Sequence, residues 1–124
     1  MSRLPLFVYG TLMSGEAQGP LLGSSARRAA SVRGTLFALP AGYPALVAGG
    51  TGRVHGELVD PPDERMLQLL DTYEGVPEGL FARVEVDARV GLRTVRAWAY
   101  TMDVARARTG TLVRSGRWQA LRRR

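Results

Sequence analysis

The sequence has no cysteine and a single histidine, His55. Without cysteine there is no disulfide, no thiol nucleophile and no thiolate metal site. With one histidine, a Ser-His-Asp arrangement would have to use His55, and a site with several histidine ligands is impossible. Lysine, asparagine and isoleucine are missing too, so all 17 basic side chains are arginine. That excludes Schiff-base chemistry on a lysine and a Walker-type phosphate loop, and we read the arginine bias as one of encoding, not of function. No apolar run approaches the roughly 20 residues that span a bilayer. The stretch from Met1 to Gly10 has too short an apolar segment, and no small-residue cleavage site, for a signal peptide. A cytoplasmic protein without a membrane partner is the expectation.

What is present fits one domain over residues 1–124, a chain long enough to bury a real core. The apolar share of 45% is that of an ordinary globular protein. A net charge of +6 and a pI near 11.0 raise the question of nucleic-acid binding. The arginines, however, are spread along the chain, and the tight groups are only Arg27-Arg28 and Arg122-Arg123-Arg124. No aromatic residues interleave with a basic stripe, as a single-strand binder requires. We expect no nucleic-acid partner, and read the charge as solvated surface with a mild preference for anionic ligands.

Leu4 to Tyr9 is a nearly continuous apolar run of β formers, closed by Gly10, and reads as a buried strand. Ala17 to Leu22 has room for one or two helical turns. Ala29 to Leu39 reads as a strand in which Gly34 marks a bulge or a close backbone approach. Tyr43 to Val47 is extended, because the residue before Pro44 avoids the helical region. Gly49-Gly50-Thr51-Gly52 reads as a hairpin turn; a phosphate loop is the sharper reading, but no lysine and no helix pattern follow it. Arg53 to Val59 is a strand with Val54, Gly56 and Leu58 on one side and His55, Glu57 and Val59 on the other. Leu80 to Ala88 and Thr94 to Met102 alternate as strands around a turn at Gly91. After Asp103 the pattern gives way to loop and short turns, with Trp118 and Leu121 as anchors. Several strands and one strong helix make an α+β fold: a small mixed β-barrel-like sheet with one main helix.

That helix lies between Asp60 and Gly75. Asp60 is the expected N-cap, with Pro61 and Pro62 in the first turn, and Asp63 and Glu64 place negative charge where the helix dipole favours it. Met66, Leu67, Leu70 and Tyr73 recur at helical spacing, and Gly75 suits the left-handed position that ends a helix. Glu74 is out of place. It falls four residues after Leu70 and seven after Leu67, so it continues the apolar stripe, and it occupies the last turn, where the dipole disfavours a carboxylate. Two readings stand. Either the last turn frays and Glu74 reaches solvent, or it is a desolvated carboxyl whose pKa rises toward neutrality, as a general base or acid requires. Asp71, three residues earlier, is helix surface or a charge that raises Glu74 further. Glu78, between Pro77 and Gly79, is a rival carboxylate that reads as an exposed turn. His55 reads as structural, with Glu57 a possible partner, although its pKa suits proton transfer.

Tyr9-Gly10-Thr11-Leu12, directly after the first strand, exposes consecutive backbone N–H groups of the kind that bind carboxylates or oxyanions; an ordinary strand-end turn is the plainer reading. Together with Glu74, and with Gly34-Thr35-Leu36-Phe37, Tyr43-Pro44-Ala45-Leu46, Gly56-Glu57-Leu58, Leu70-Asp71-Thr72-Tyr73-Glu74-Gly75, Phe81-Ala82-Arg83, Trp98-Ala99-Tyr100 and Gly116-Arg117-Trp118, it resembles the gamma-glutamylcyclotransferase-like family over nearly the whole chain. Phe37 and Phe81 stand where that family often has tyrosine.

The resemblance implies an enzyme that converts a γ-glutamyl amine or peptide to 5-oxoproline and a free amine. The substrate's own α-amino group attacks its γ-carbonyl, so the protein has mainly to fold the substrate and move protons. By position, Glu74 would be the base and then the acid. Tyr9, Gly10, Thr11 and Leu12 would bind the α-carboxylate or the developing oxyanion, and Tyr100 would line the pocket or serve as a core tyrosine. The resemblance requires no metal and no organic cofactor. A second enzyme reading makes the γ-glutamyl group a protecting tag on a secondary metabolite. A third keeps the fold as a non-catalytic small-molecule-binding or regulatory module.

Overall fold

The apolar run near the N-terminus forms β1 (Leu6–Val8), and it lacks alternation because both of its faces are buried. Phe7 and Tyr9 enter one hydrophobic cluster, whereas Leu6 and Val8 enter another. The structure, a computed structural model, describes residues 3–10, 13, 26–60 and 62–118. The expected helical turns at Ala17–Leu22, the anchor Leu121 and the Arg122–Arg124 tail lie outside the described residues.

The remaining strands are β2 (Arg27–Ala38), β3 (Pro44–Val59), β4 (Ala82–Val90), β5 (Arg93–Thr101) and the two-residue β6 (Thr111–Leu112). Their order is β3-β1-β5-β4-β2-β6, and β2 also pairs with β3, which closes a barrel of five strands and leaves β6 as an addition on β2. β1 runs parallel to β5, with Leu6 opposite Trp98, and antiparallel to β3. Closure removes exposed edges from the ring. The inner cluster, with Phe7, Tyr9, Val32, Leu36, Leu46, Val54, Leu58, Ala97, Ala99 and Trp118, fills the barrel. The outer one, with Leu6, Val8, Val59, Leu70, Phe81, Tyr100 and Met102, lies beneath the helix. β5 shows the division residue by residue: Ala97 and Ala99 belong to the first cluster, Trp98 and Tyr100 to the second.

Gly49 to Gly52 is not a hairpin turn. Arg33 is paired with Arg53 and Gly34 with Ala48, so residues 49–52 bulge from one continuous strand whose two flanks both pair with β2. Gly49 and Gly50 take φ of 99° and 79°, a region that other residues rarely adopt. Gly34 is the close approach its sequence position suggests: a Cβ there would lie 2.6 Å from Leu46 Cδ1 and 2.7 Å from the Val47 carbonyl oxygen.

The main helix, α1 (Glu64–Tyr73), starts later than its sequence suggests. Its N-cap is Asp63, whose side chain accepts from the Met66 N–H at 2.8 Å. Asp60 lies three residues before that cap, where its N–H donates to the Ala26 carbonyl and the chain still follows the sheet. Leu67 and Leu70 are buried. At the other end, Glu74 is the C-cap and Gly75 has φ of 72°. The Gly75 N–H bonds to Thr72 O and the Val76 N–H to Asp71 O, which is the Schellman pattern. The last turn is therefore closed and does not fray. After β5 come α2 (Val104–Ala107), capped by Asp103, and β6, with Trp118 buried against the barrel core. Among the described residues no helix is long and apolar enough to cross a membrane.

Candidate functional site

A cavity of about 290 Å³ opens where the end of β1, the start of β3, the C-terminus of α1 and the middle of the sheet meet. Tyr9 and Gly10 line it from just after β1 and Tyr43 and Pro44 from the entry to β3. Tyr73 and Glu74 line it from α1, Leu80 and Phe81 from the segment before β4, and Tyr100 from β5. The walls are largely aromatic and aliphatic. Tyr43 and Phe81 form a tilted ring pair with centroids 6.3 Å apart.

The carboxyl of Glu74 is held in this apolar lining because the Schellman closure fixes its backbone at the helix end. Burial pushes its pKa from an ordinary 4.5 up to about 7, since the charged form is poorly solvated there. Asp71 does not contribute to that shift. It faces Arg83, which donates from Nε at 2.8 Å to one carboxylate oxygen and from a terminal nitrogen at 3.1 Å to the other. Burial alone would raise the Asp71 pKa, but the hydrogen bonds from Arg83 and Tyr100 outweigh it and hold the carboxyl below its usual range.

The two tyrosines bracket the site differently. The Tyr9 hydroxyl donates to the Tyr100 carbonyl at 2.8 Å and accepts from the Leu46 N–H at 3.2 Å, tying β1 to β5 and β3. Burial first, and the nearby Glu74 charge second, keep it a neutral phenol. The Tyr100 hydroxyl donates to Asp71 at 2.7 Å, and burial and that bond raise its pKa as well. Gly10 admits Pro44 to the rim, because a Cβ on Gly10 would lie 2.6 Å from Pro44 Cγ. The Gly10 carbonyl accepts from Met13 N–H at 3.0 Å, a tight turn after the strand. Thr11 and Leu12 lie outside the described residues.

The other titratable candidates sit elsewhere. His55 is on β3 opposite Ser31, does not line the cavity, and has its pKa lowered by burial and by Arg117 and Arg53. Glu57 forms an ion pair with Arg27 at 3.0 Å. Glu78 is exposed in the turn after α1. Among the described residues no three His, Asp or Glu side chains form a metal-ligating group.

A family profile described as "Gamma-glutamyl cyclotransferase, AIG2-like" matches residues 6–120. The chain belongs to this family. Among curated proteins, gamma-glutamylaminecyclotransferase from Bos taurus is 38% identical over 86 residues, which is 60% of this chain and 50% of that protein. The match thus spans about half the relative's length. Among solved structures, YkqA from Bacillus subtilis aligns with a TM-score of 0.76 at 29% identity, over 94% of this chain and 40% of that one. An AIG2-like protein from Mus musculus aligns over 100% of both chains with a TM-score of 0.74 at 20% identity, a likeness of fold.

Pieces scattered along the sequence of this family member meet at one cavity: Tyr9-Gly10, Tyr43-Pro44, Tyr73-Glu74, Phe81 and Tyr100. Phe81 supplies a wall without a hydroxyl. What the sequence did not reveal is the chain of contacts behind Tyr100, in which Asp71 joins Arg83 and the Arg83 guanidinium carbon lies 4.3 Å above the Trp98 ring. The signal was present in Asp71, Arg83 and Trp98, each inside a matching piece. Only the fold brings them together.

Proposed function

We propose that this protein is a cyclotransferase that converts a γ-glutamyl amine or peptide to 5-oxoproline and a free amine, with Glu74 as base and acid. The observation that carries the reading is a carboxyl inside a largely apolar cavity, with a pKa of about 7. At neutral pH such a group is present in both protonation states, as a proton shuttle requires.

The substrate enters with its α-ammonium beside Glu74. The carboxylate takes one proton, and the freed amine attacks the γ-carbonyl carbon to form the new C–N bond and an oxyanion. Glu74 returns its proton to the leaving nitrogen, and the old C–N bond breaks. The lactam nitrogen, still carrying an extra proton, gives it to Glu74, which passes it to the departing amine. Two protons leave the attacking nitrogen and two reach the leaving one. Backbone N–H groups of Tyr9, Gly10, Thr11 and Leu12 would bind the oxyanion or the α-carboxylate. A cavity of about 290 Å³ suits the γ-glutamyl portion with the leaving group toward solvent. The name of the Bos taurus relative favours a simple amine as that leaving group.

The test is 5-oxoproline release from γ-glutamyl amines, γ-glutamyl amino acids and glutathione, with Glu74→Gln assayed beside the wild type. Release by the wild type and a loss of at least about 100-fold in the variant is expected for removal of a general base. Equal release by both overturns the role of Glu74.

A further inference from the structure

Among the described residues that line the cavity, Glu74 is the one charged side chain and none is basic; Tyr9, Tyr43, Tyr73 and Tyr100 bring hydroxyls. Among the described residues no donor reaches the Glu74 carboxyl, whose shift has burial as its one cause. Of the cavity hydroxyls, Tyr100 is the one whose proton is committed to a carboxylate. Asp71 is held as a carboxylate by the two-point contact with Arg83. An ionised carboxylate only accepts, so the 2.7 Å contact requires Tyr100 to be the donor. The Tyr100 proton therefore points at Asp71, and its oxygen accepts nothing among the described residues. Glu74 and Tyr100 line the same cavity and are close enough for the Glu74 charge to act on the phenol. A phenol so arranged cannot donate to an oxyanion, but it can accept from a cation.

We propose that Asp71 is a positioning residue that, by taking the Tyr100 proton, fixes the phenol oxygen as an acceptor beside Glu74, so that the two form a seat for the α-ammonium of a γ-glutamyl substrate. This deepens the cyclotransferase reading and rests on it. An ammonium has three donors, enough to bond both acceptors at once, and it is the group whose proton Glu74 must take. Arg83 keeps Asp71 ionised, and its place over Trp98 keeps the fork aimed.

The experiment compares two ligands that cannot cyclise: an N-alkyl sulfonamide analogue of a γ-glutamyl amine, which keeps the α-ammonium, and its counterpart with hydrogen in place of the amino group. Affinities are read by calorimetry for wild type, Asp71→Asn, Tyr100→Phe and the double variant. The wild type should prefer the amino ligand. Asp71→Asn and Tyr100→Phe should each reduce that preference about tenfold or more, the scale of a hydrogen bond to a charged group. The double variant should be no worse than Tyr100→Phe, because Asp71 acts only through the hydroxyl. Should Asp71→Asn fail to fold, Arg83→Gln loosens the same carboxylate and is expected to reduce the preference too. An unchanged preference in Asp71→Asn, or an equal further loss when it is added to Tyr100→Phe, overturns the proposal. Wild-type turnover beside an unchanged preference removes the seat and keeps the cyclotransferase. A preference that depends on Asp71 in a protein releasing no 5-oxoproline supports the seat and removes the reaction.

Discussion

Replacing Glu74 with glutamine should make the protein more stable while silencing it. In the unfolded chain the Glu74 carboxyl titrates near its ordinary 4.5, whereas in the fold it titrates at about 7. Across that window the folded protein holds a proton that the unfolded chain has released. Stability therefore falls as pH rises from 4.5 to about 7 and is level above it. At about 1.36 kcal/mol per pH unit the loss is about 3 kcal/mol. Glutamine has the shape of the protonated carboxyl and no charge to desolvate, so Glu74→Gln escapes the loss. Contributions from Asp71 and His55 are common to both proteins and cancel in the difference. Urea titrations from about pH 4 to about pH 8.5 should show coincident stabilities at the acid end. At the alkaline end the variant should gain about 3 kcal/mol, on the order of 10 °C in Tm for a domain of this size. A difference near zero at about pH 8.5, or one of the same size at every pH, would refute the burial of this carboxyl.

Three further outcomes are expected. With a γ-glutamyl substrate, kcat/KM should rise through a midpoint at about 7 as the Glu74 carboxylate forms; a midpoint near 4.5 would mean a solvated carboxyl. Gly56→Ala should destabilise by at least about 2 kcal/mol in denaturant titrations, because its Cβ would run into the Val8 carbonyl oxygen and part β3 from β1. Asp63→Ala should cost about 1 kcal/mol through loss of the cap on Met66 N–H, with kcat/KM unchanged, since that end of α1 does not line the cavity.

Local signals carried much of this. Alternation in β5 put Ala97 and Ala99 on one face and Trp98 and Tyr100 on the other, and a charge that breaks an apolar stripe singled out Glu74. Gly75 was legible as a helix stop because only glycine adopts its backbone easily. The departures have a common cause in partners distant along the chain. Glycines at 49, 50 and 52 look the same whether the strand folds back on itself or bulges past an existing partner, and that choice belongs to β2. Asp60 has the chemistry of a cap, but the sheet pairing of its backbone with Ala26 delays the helix to Asp63. Asp71 read as helix surface because its partners, Arg83 and Tyr100, are 12 and 29 positions away.

The parallel pairing of β1 with β5 bears on how the chain comes to fold. β1 lies between β3 and β5 in the ring, and its last contact, from the Tyr9 hydroxyl to the Tyr100 carbonyl, joins residues 91 positions apart. Contacts of such separation form slowly, since a long loop must close before they offer any gain. A nascent chain that has made only the β2–β3 hairpin and α1 already contains Glu74, but with neither Tyr100 nor the Phe81 wall in place. Its carboxyl is then an ordinary surface acid, ionised at neutral pH and paired with water. The burial that lifts its pKa to about 7 belongs to the finished fold, in which Phe81 and Tyr100 line the cavity with it. On the proposed function, completion of the barrel and the onset of proton chemistry would be one event, and a partly folded chain would be inert toward substrate.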